Sequence, residues 1–416
     1  YMHTIYYGRN MKDPVVRQTA ASEIRDLLQH DIPLFTFENS GRSLYDSRGK
    51  EFPMYFKREP FERVVRKIAG LNENGLDRQL RLMEMAMKLQ DGDNDSLHND
   101  SLELKENIFG REEASLSSVL SETAERIGKM LITSAVRDEE GRTTGWYGAK
   151  VAARRGYKWN IQPADYYLYD GMAGMLLFFH MLSSYENAEY QKITEQIERQ
   201  LTGYTDAAAE DFSMALSKNT GIYNGESSIA YTYLLLYDDT GEKKYLEYAE
   251  RHSGIVERCL LEEKECDLLD GMSGAVCLYS KLYKLTCNNK YLELAERFGN
   301  IILSRGVKTE NGLCWTNKEG MQPLLGMAHG NSGMIVMLAE LYKNTGKREY
   351  YTAAKEAVRY EDAFYSEKTG NWLDFRGEEI SEMEESDPVA WCHGAGGICL
   401  SRLALMECAK ERRDKL

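Results

Sequence analysis

Three places in the sequence put reactive side chains beside a glycine turn. At Trp391-Cys392-His393-Gly394 a thiol and an imidazole are adjacent. Both are good zinc ligands, and a helix N-terminus favours thiolate just as the metal does. Two neighbouring ligands do not make a site, because a catalytic zinc takes three protein ligands and an open position. The bland alternative is a buried Cys beside a solvent-facing His. At Ala328-His329-Gly330 the histidine precedes a glycine by one residue. It can serve as acid or base near neutral pH, or it can be a satisfied core histidine. Asp267 lies four residues before Gly271, with Asp270 beside that glycine. An acid at a helix start is ordinary capping. What raises all three above these plain readings is a register that they share.

That register is an internal repeat. Gly171-Met-Ala-Gly174, Gly225-Glu-Ser-Ser228, Gly271-Met-Ser-Gly274, Gly330-Asn-Ser-Gly333 and Gly394-Ala-Gly-Gly397 follow one pattern. The fourth position is always Gly or Ser. The next is apolar: Met175, Ile229, Ala275, Met334, Ile398. Seven residues later stands Leu182, Leu236, Leu282, Leu341 or Leu405. These offsets fit one face of a helix that begins inside the glycine motif. A second element travels with the first: Tyr245-Leu-Glu-Tyr-Ala249, Tyr291-Leu-Glu-Leu-Ala295 and Tyr350-Tyr-Thr-Ala-Ala354 keep step with the glycines. Each unit therefore reads as glycine turn, apolar inner helix, polar turn (Asp239-Thr-Gly241, Asn344-Thr-Gly346) and amphipathic outer helix. Glycine at such a turn supplies either a positive φ or a close approach to another backbone or a ligand. The plainest use is close packing of neighbouring helices. A closed ring of such units would aim Asp267, His329 and Cys392 at one centre; an open stack is the other arrangement these repeats allow.

Composition narrows the classes. Of 416 residues 43% are hydrophobic and 28% charged, which excludes disorder over the whole length. Lys plus Arg number 52 against 66 Asp plus Glu, the opposite of the balance expected for phosphate neutralisation, so no nucleic-acid partner is expected. The longest apolar stretch, Met172 to Leu182, is interrupted by His180 and falls short of the about 20 residues that span a bilayer. No charged-then-apolar signal segment opens the chain. All eight cysteines lie at or beyond Cys259. A chain of this size does not need disulfide staples, so the expected setting is a reducing cytoplasm. Tyr1 is not a natural start, and the expectation is a piece of something longer.

The N-terminal third reads differently. Helices are expected at Val15–Gln29, Pro60–Leu71 and Gly75–Leu89, separated by loop and short strand from Asp31 to Gly49. Residues Asp91–Glu103 are polar and read as a linker. A long helix, Ser115 to Val136, opens the repeat region.

The runs Tyr169-Asp-Gly-Met-Ala-Gly174, Asp267-Leu-Leu-Asp-Gly-Met-Ser-Gly274, Gly326-Met-Ala-His-Gly-Asn-Ser-Gly333 and Ala390-Trp-Cys-His-Gly-Ala-Gly-Gly397 resemble the lanthionine synthetase C-like cyclases. Glu23-Ile-Arg-Asp-Leu-Leu, His30-Asp-Ile-Pro-Leu-Phe, Leu44-Tyr-Asp-Ser-Arg-Gly49 and Asp77-Arg-Gln79 resemble the end of the dehydratase region of class II lanthipeptide synthetases. The resemblance implies a mainly α fold. It is an (α/α) toroid with five of seven helical-hairpin units present, preceded by a small, mostly helical remnant. The boundaries expected are 1–103 for the remnant with its linker and 104–416 for an incomplete cyclase domain. It also implies cyclisation of a precursor lanthipeptide, in which Cys thiols add to dehydroalanine or dehydrobutyrine to form (methyl)lanthionine.

The family holds zinc with two Cys and one His. Cys392 matches the first cysteine; the other Cys and the His belong to a later Cys-His-Gly or Cys-Cys-Gly motif, expected beyond Leu416. By the same resemblance His329 is a candidate acid/base and Asp267 assists proton transfer, while His393 and Trp391 support the metal site without ligating. Pro388 stands where stand-alone cyclases have Arg, and Ser228 and Gly396 replace a usual glycine and a common proline. ATP and Mg belong to the dehydratase catalytic region, and no nucleotide-cradling glycine loop precedes Asp31. The expectation is a chain that neither dehydrates nor binds ATP and is inactive by itself. The resemblance further implies association with a membrane exporter and a monomer when complete. Two other classes stay open: a LanC-like scaffold that binds peptides or thiols without joining them, and an (α/α) toroid glycoside hydrolase using Asp267 and Asp374 as paired carboxylates.

Overall fold

A computed structural model describes residues 14–90, 113–138, 141–153, 158–184, 187–316, 322–376 and 389–413. The linker expected at Asp91–Glu103 and the position of Pro388 lie outside them. The chain divides into two units, Tyr1–Leu116 with Gly148–Gln162, and Ser117–Tyr147 with Pro163–Leu416.

In the first unit, helix α1 (Pro14–Leu28) is followed by β1 (Thr36–Phe37), β2 (Leu44–Tyr45) and β3 (Glu51–Phe52), an antiparallel sheet in that order. Two helices follow, α2 (Pro60–Ala69) and α3 (Glu73–Gln90). Asp46, at the turn after β2, ties the sheet to α1. Its buried carboxylate accepts from Ser22 Oγ at 2.7 Å, from the Arg48 and Lys50 amides at 2.9 Å each, and from Arg25 at 3.2 Å. Burial works to raise the Asp46 pKa, but these donors outweigh it and hold the carboxyl well below its usual range. This explains the two N-terminal motifs together: Arg25 comes from one and Asp46 from the other.

The second unit opens with α4 (Glu113–Ser134), then the paired strands β4 (Val136–Arg137) and β5 (Thr144–Gly145). The hairpin β6 (Tyr147–Ala153) and β7 (Lys158–Pro163) comes next in the chain. From there the repeat takes over. Inner helices α5 (Met172–Ser183), α7 (Glu226–Thr240), α9 (Met272–Thr286), α11 (Asn331–Thr345) and α13 (Ala395–Arg413) all start in the glycine motifs. They alternate with outer helices α6 (Ala188–Glu210), α8 (Lys243–Cys259), α10 (Asn289–Arg305) and α12 (Arg348–Asp362). Each of the first four inner helices packs on its own outer helix and on the next inner one. The architecture is mainly α, of the (α/α)-toroid kind. Small strand pairs, β8 (Val307–Thr309) with β9 (Gly312–Cys314) and β10 (Tyr365–Ser366) with β11 (Asn371–Trp372), sit in the longer returns.

The repeated residues have distinct jobs. The leucines Leu182, Leu236, Leu282 and Leu341 are buried in one continuous core. Beside them, Thr240, Thr286 and Thr345 donate to the carbonyls of Leu236, Leu282 and Leu341 at 2.7–2.8 Å and end each helix. Gly241 and Gly346 then take the left-handed cap, with φ of 70° and 75°, as their position in the polar turns suggests. The tyrosines that lead the outer helices reach the preceding outer helix. Tyr245 donates to Glu198, Tyr291 to Glu250 and Tyr350 to Asn300, each at 2.9 Å. Tyr190 does the same to the Glu125 carbonyl of α4 at 3.3 Å, which identifies α4 as an outer helix preceding α5.

The first motif glycines do not supply a positive φ, with one exception. Gly171, Gly225, Gly271 and Gly330 are extended, whereas Gly394 has φ 123°. Close approach is their use. A Cβ on Gly225 would lie 2.4 Å from the Gly221 amide nitrogen, and one on Gly330 would lie 2.4 Å from the Leu325 carbonyl carbon; the fourth-position glycines are as tight, with a Cβ on Gly274 2.1 Å from the Ile222 amide nitrogen and one on Gly397 1.9 Å from the Trp391 carbonyl oxygen. On its outer face α13 exposes Leu400, Leu403 and Met406, an apolar edge.

Candidate active site

The loops before the glycine helices are laced into one rim. The Leu168 and Tyr169 amides donate to the Tyr223 carbonyl, the Ile222 amide to Leu268, the Leu268 and Leu269 amides to Ala328, and the Ala328 amide to Cys392. These bonds run from 3.0 to 3.2 Å. Each loop thus hangs on the next, and the last three links put Asp267, His329 and Cys392 on successive loops of the same rim. Sequence register alone suggested this; the backbone bonds are the reason it holds.

Asp267 is buried and faces two ways. One carboxylate oxygen accepts from the Asp270 and Gly271 amides at 2.8 and 3.1 Å, the capping role expected of an acid there. The other lies 2.8 Å from His329 Nδ1. A carboxylate only accepts, so Nδ1–H is the donor, and Nε2 is left as the nitrogen that exchanges protons. His329 is 39% exposed by its side chain against 2% for Asp267. A buried acid orienting a half-exposed imidazole is an acid/base pair in geometry. Asp270 stands 4.0 Å from the same ring and is held by Asn224 Nδ2 at 2.9 Å.

Cys392 Sγ lies 2.9 Å from Nδ1 of His393. Burial, and then the positive charge of Arg376, hold the His393 pKa below its usual range. That shift favours the neutral ring, whose Nδ1 pairs with the Cys392 thiol. Trp391 packs at a tilt against Tyr223 of the second loop, ring centres 5.1 Å apart, and ties the two loops together. A cavity of about 200 Å³ opens here, lined by His329, Cys392 and His393 together with Tyr169, Asp374 and Arg376. Trp372, Phe375, Leu324 and Leu325 form its apolar wall.

A profile of the family described as lanthionine synthetase C-like protein matches residues 162–415. The chain belongs to that family. No curated protein matches it. Among solved structures it is similar to nisin cyclase, at 19% identity and a TM-score of 0.45, over 59% of this chain and 66% of that one. The match thus spans slightly less than two thirds of nisin cyclase. Similarity of the same grade extends to a D-mannose isomerase, at 14% identity and TM-score 0.39, over 58% and 70% of the two chains. It extends also to a glycoside hydrolase family 76 mannosidase from Bacteroides thetaiotaomicron, at 13% identity and TM-score 0.33, over 71% and 83%.

The zinc centre of the family can be tested on the donors present. Among the described residues one group of three metal-capable side chains converges, Asp267, Asp270 and His329, with ligand atoms within 4.8 Å of one another. It contains no thiol. Cys392 has one imidazole beside it and no second cysteine in that group, and Cys408 is buried on α13 with its thiol against the Ala339 carbonyl. The described residues do not fit a two-cysteine, one-histidine zinc.

Three residues bear on the site in ways that sequence reasoning passed over. Glu361, fully buried at the end of α12, accepts from the Gly326 amide at 3.1 Å, from Ser332 at 2.9 Å and from Arg402 at 2.8 Å. It fixes the loop that carries His329 to α13. Tyr169 stands in a quoted motif, yet only the fold shows that it reaches the cavity. Arg376 carried no repeat signal at all; the one hint was its place two residues after Asp374.

Proposed function

We propose that this chain is the cyclase portion of a lanthipeptide synthetase, in which a peptide cysteine thiol adds across the double bond of a dehydrated Ser or Thr, and that it works only together with the rest of its zinc site. The observation that carries the reading is the Asp267–His329 pair at 2.8 Å, on the same laced rim as Cys392 and facing one cavity. Addition forms an S–C bond at the β-carbon. The π electrons of the alkene move towards the carbonyl as an enolate, and a proton then arrives at Cα. The thiol loses one proton and Cα gains one, so a single imidazole can serve both transfers. His329, with Nδ1 committed to Asp267, takes the thiol proton on Nε2 and returns it to Cα.

Cys392 keeps the role the resemblance gives it, one ligand of a zinc whose other ligands are not among the described residues. Cys392 would hold such an ion only with ligands from outside the described residues, and the chemistry it would supply is a lowered pKa of the attacking thiol. The substrate class is a dehydrated precursor peptide. Dehydration itself is assigned elsewhere, and ATP-dependent phosphorylation of a precursor by this chain would overturn that part.

The glycosidase reading loses ground on one observation. Asp374 is gripped by Arg376 and held below the usual carboxylate range, although burial alone would raise it. A glycosidic general acid needs the opposite shift. The test is thiol consumption with a dehydroalanine peptide, by mass spectrometry and a thiol reagent. His329→Gln should lower kcat roughly 100-fold with the fold intact. Unchanged kcat would remove the acid/base assignment, and binding without thioether formation would favour the scaffold reading.

A further inference from the structure

The cavity lining contains one side chain whose positive charge does not depend on pH. Arg376 leaves β11 on the segment Trp372-Leu-Asp-Phe-Arg376 and lines the same space as His329, Cys392 and His393. No Lys and no other Arg lines it among the described residues. The guanidinium is half exposed, at 49%, whereas its partner Asp374 is 9% exposed. Asp374 accepts from Arg376 Nε at 2.9 Å, from Nη2, and from the Arg376 backbone amide at 3.1 Å. One buried carboxylate therefore holds both the main chain and the fork of the arginine, and such a clamp pre-orients a planar donor.

The segment itself is packed. Trp372 stacks edge-on to Tyr365 at 5.0 Å, and Phe375 to Phe364 at 4.9 Å. Arg376 is thus offered to the cavity from a braced support.

We propose that Arg376 is the oxyanion donor of this cavity: its guanidinium receives the carbonyl oxygen of the dehydro residue and stabilises the negative charge that develops there as sulfur adds. This rests on the cyclase reading and completes its charge balance. The S–C bond forms while the C=C π bond breaks. The electron pair moves onto the carbonyl oxygen, where Arg376 meets it, and it returns to Cα when His329 delivers the proton. Asp374 is a positioning residue for that fork. Donors placed at a developing oxyanion in a water-poor site contribute about 100- to 1000-fold to kcat.

Two measurements test it, the first on the 416-residue chain and the second on the protein that carries its complete zinc site. The first uses the fluorescence of Trp372 and Trp391 with two peptide amides, identical except for Ala or Asp at the reacting position. The Asp carboxylate stands in for the oxyanion. The parent should bind the Asp peptide about tenfold more tightly, Arg376→Gln should abolish that preference, and Arg376→Lys should retain part of it. The second is thiol addition to the dehydroalanine peptide. There Arg376→Gln should lower kcat about 100-fold while KM moves less than about threefold. A preference that survives Arg376→Gln, or is missing from the parent, overturns the assignment, as does an unchanged kcat. A merely structural clamp would lower Tm and leave both ratios alone. If the parent shows the anion preference but adds no thiol, the cyclase reading and the enolate role fall together, while Arg376 stands as an anion-binding residue.

Discussion

Adding one methyl group at two glycines of the second unit should have opposite effects, and the structure sets the size of each. Gly254 lies inside α8, with no atom within 4 Å of the Cβ it lacks. Alanine there removes backbone entropy from the unfolded chain and fills no occupied space, so Gly254→Ala should stabilise by about 0.5–1 kcal/mol. At Gly274 the same Cβ would lie 2.1 Å from the Ile222 nitrogen and 2.6 Å from the Gly221 carbonyl carbon. Both are backbone atoms, which cannot rotate away. The loop must retreat by roughly 1 Å or more to restore contact distance. That overpacking costs about 1–3 kcal/mol. Retreat also stretches the Ile222-to-Leu268 and Gly221-to-Asp270 hydrogen bonds, now 3.1 and 3.0 Å, at about 1 kcal/mol each. The expected loss for Gly274→Ala is then on the order of 3–5 kcal/mol. Thermal unfolding followed by circular dichroism reads the pair directly. With about 2–4 °C per kcal/mol for a unit of this size, Gly254→Ala should gain about 1–4 °C and Gly274→Ala should lose about 6 °C or more. Equal shifts, or a neutral Gly274→Ala, would refute the claim that the repeat glycines exist for backbone contact.

Further expectations follow from other named contacts. Cys287 closes α9 in the left-handed region, φ 55°, where the sister helices have Gly241 and Gly346; Cys287→Gly should raise stability by about 1 kcal/mol in urea unfolding. Arg402→Met strands the buried Glu361, whose pKa burial already raises, and should cost on the order of 3 kcal/mol at pH 7. Because a carboxyl of raised pKa is favoured protonated in the fold, that loss should shrink as pH falls, and a pH-independent loss would contradict the pairing. Asp46 has the opposite sign. Its depressed pKa contributes stability that is complete above the unfolded value of about 4 and disappears as pH falls below it, so hydrogen exchange of residues 22–52 should accelerate below about pH 4 and Asp46→Asn should remove that dependence. Leu403→Lys with Met406→Glu should reduce self-association in sedimentation, as both side chains are exposed on the apolar edge of α13.

Much of the fold was readable from the chain because its repeat is local. A glycine, a small residue three positions on and a leucine about two turns further each act within one helix, and period and burial agree at Leu182, Leu236, Leu282 and Leu341. The tyrosines were visible as a pattern, but their purpose was not. The acceptors Glu198, Glu250 and Asn300 lie on the neighbouring outer helix some 40 to 50 residues away and differ in type. Nor could the sequence choose between positive φ and close approach at the first motif glycines, since both demand the same residue. Of the site, Asp267, His329 and Cys392 were legible through their shared register. Arg376 and Glu361 were not: one lies in a return loop outside the repeat, and the other ends an outer helix among many solvent-facing acids. Long-range pairing leaves no periodic trace.

Stability and geometry of the site are coupled by the rim. The atoms that Gly274 touches belong to residues 221 and 222, and the Ile222 amide is bonded to the Leu268 carbonyl, one residue from Asp267. Gly333 in turn packs on Leu268 and on the Met327 carbonyl, two residues before His329, and Gly397 packs on Met327 and Trp391, next to Cys392. Each glycine contact thus bears on a loop that holds a reactive side chain, so the packing that closes one unit on the next also sets the Asp267–His329 separation. The returns between units can vary in length without moving that separation, as the different lengths of the repeat require. If this is right, Gly333→Ala should lower kcat for thiol addition by more than its loss of Tm explains, because a shift of the loop by roughly 1 Å is enough to misplace a proton donor. A substitution of equal thermal cost far from the rim, such as Tyr291→Phe with the loss of its bond to Glu250, should leave kcat where it was.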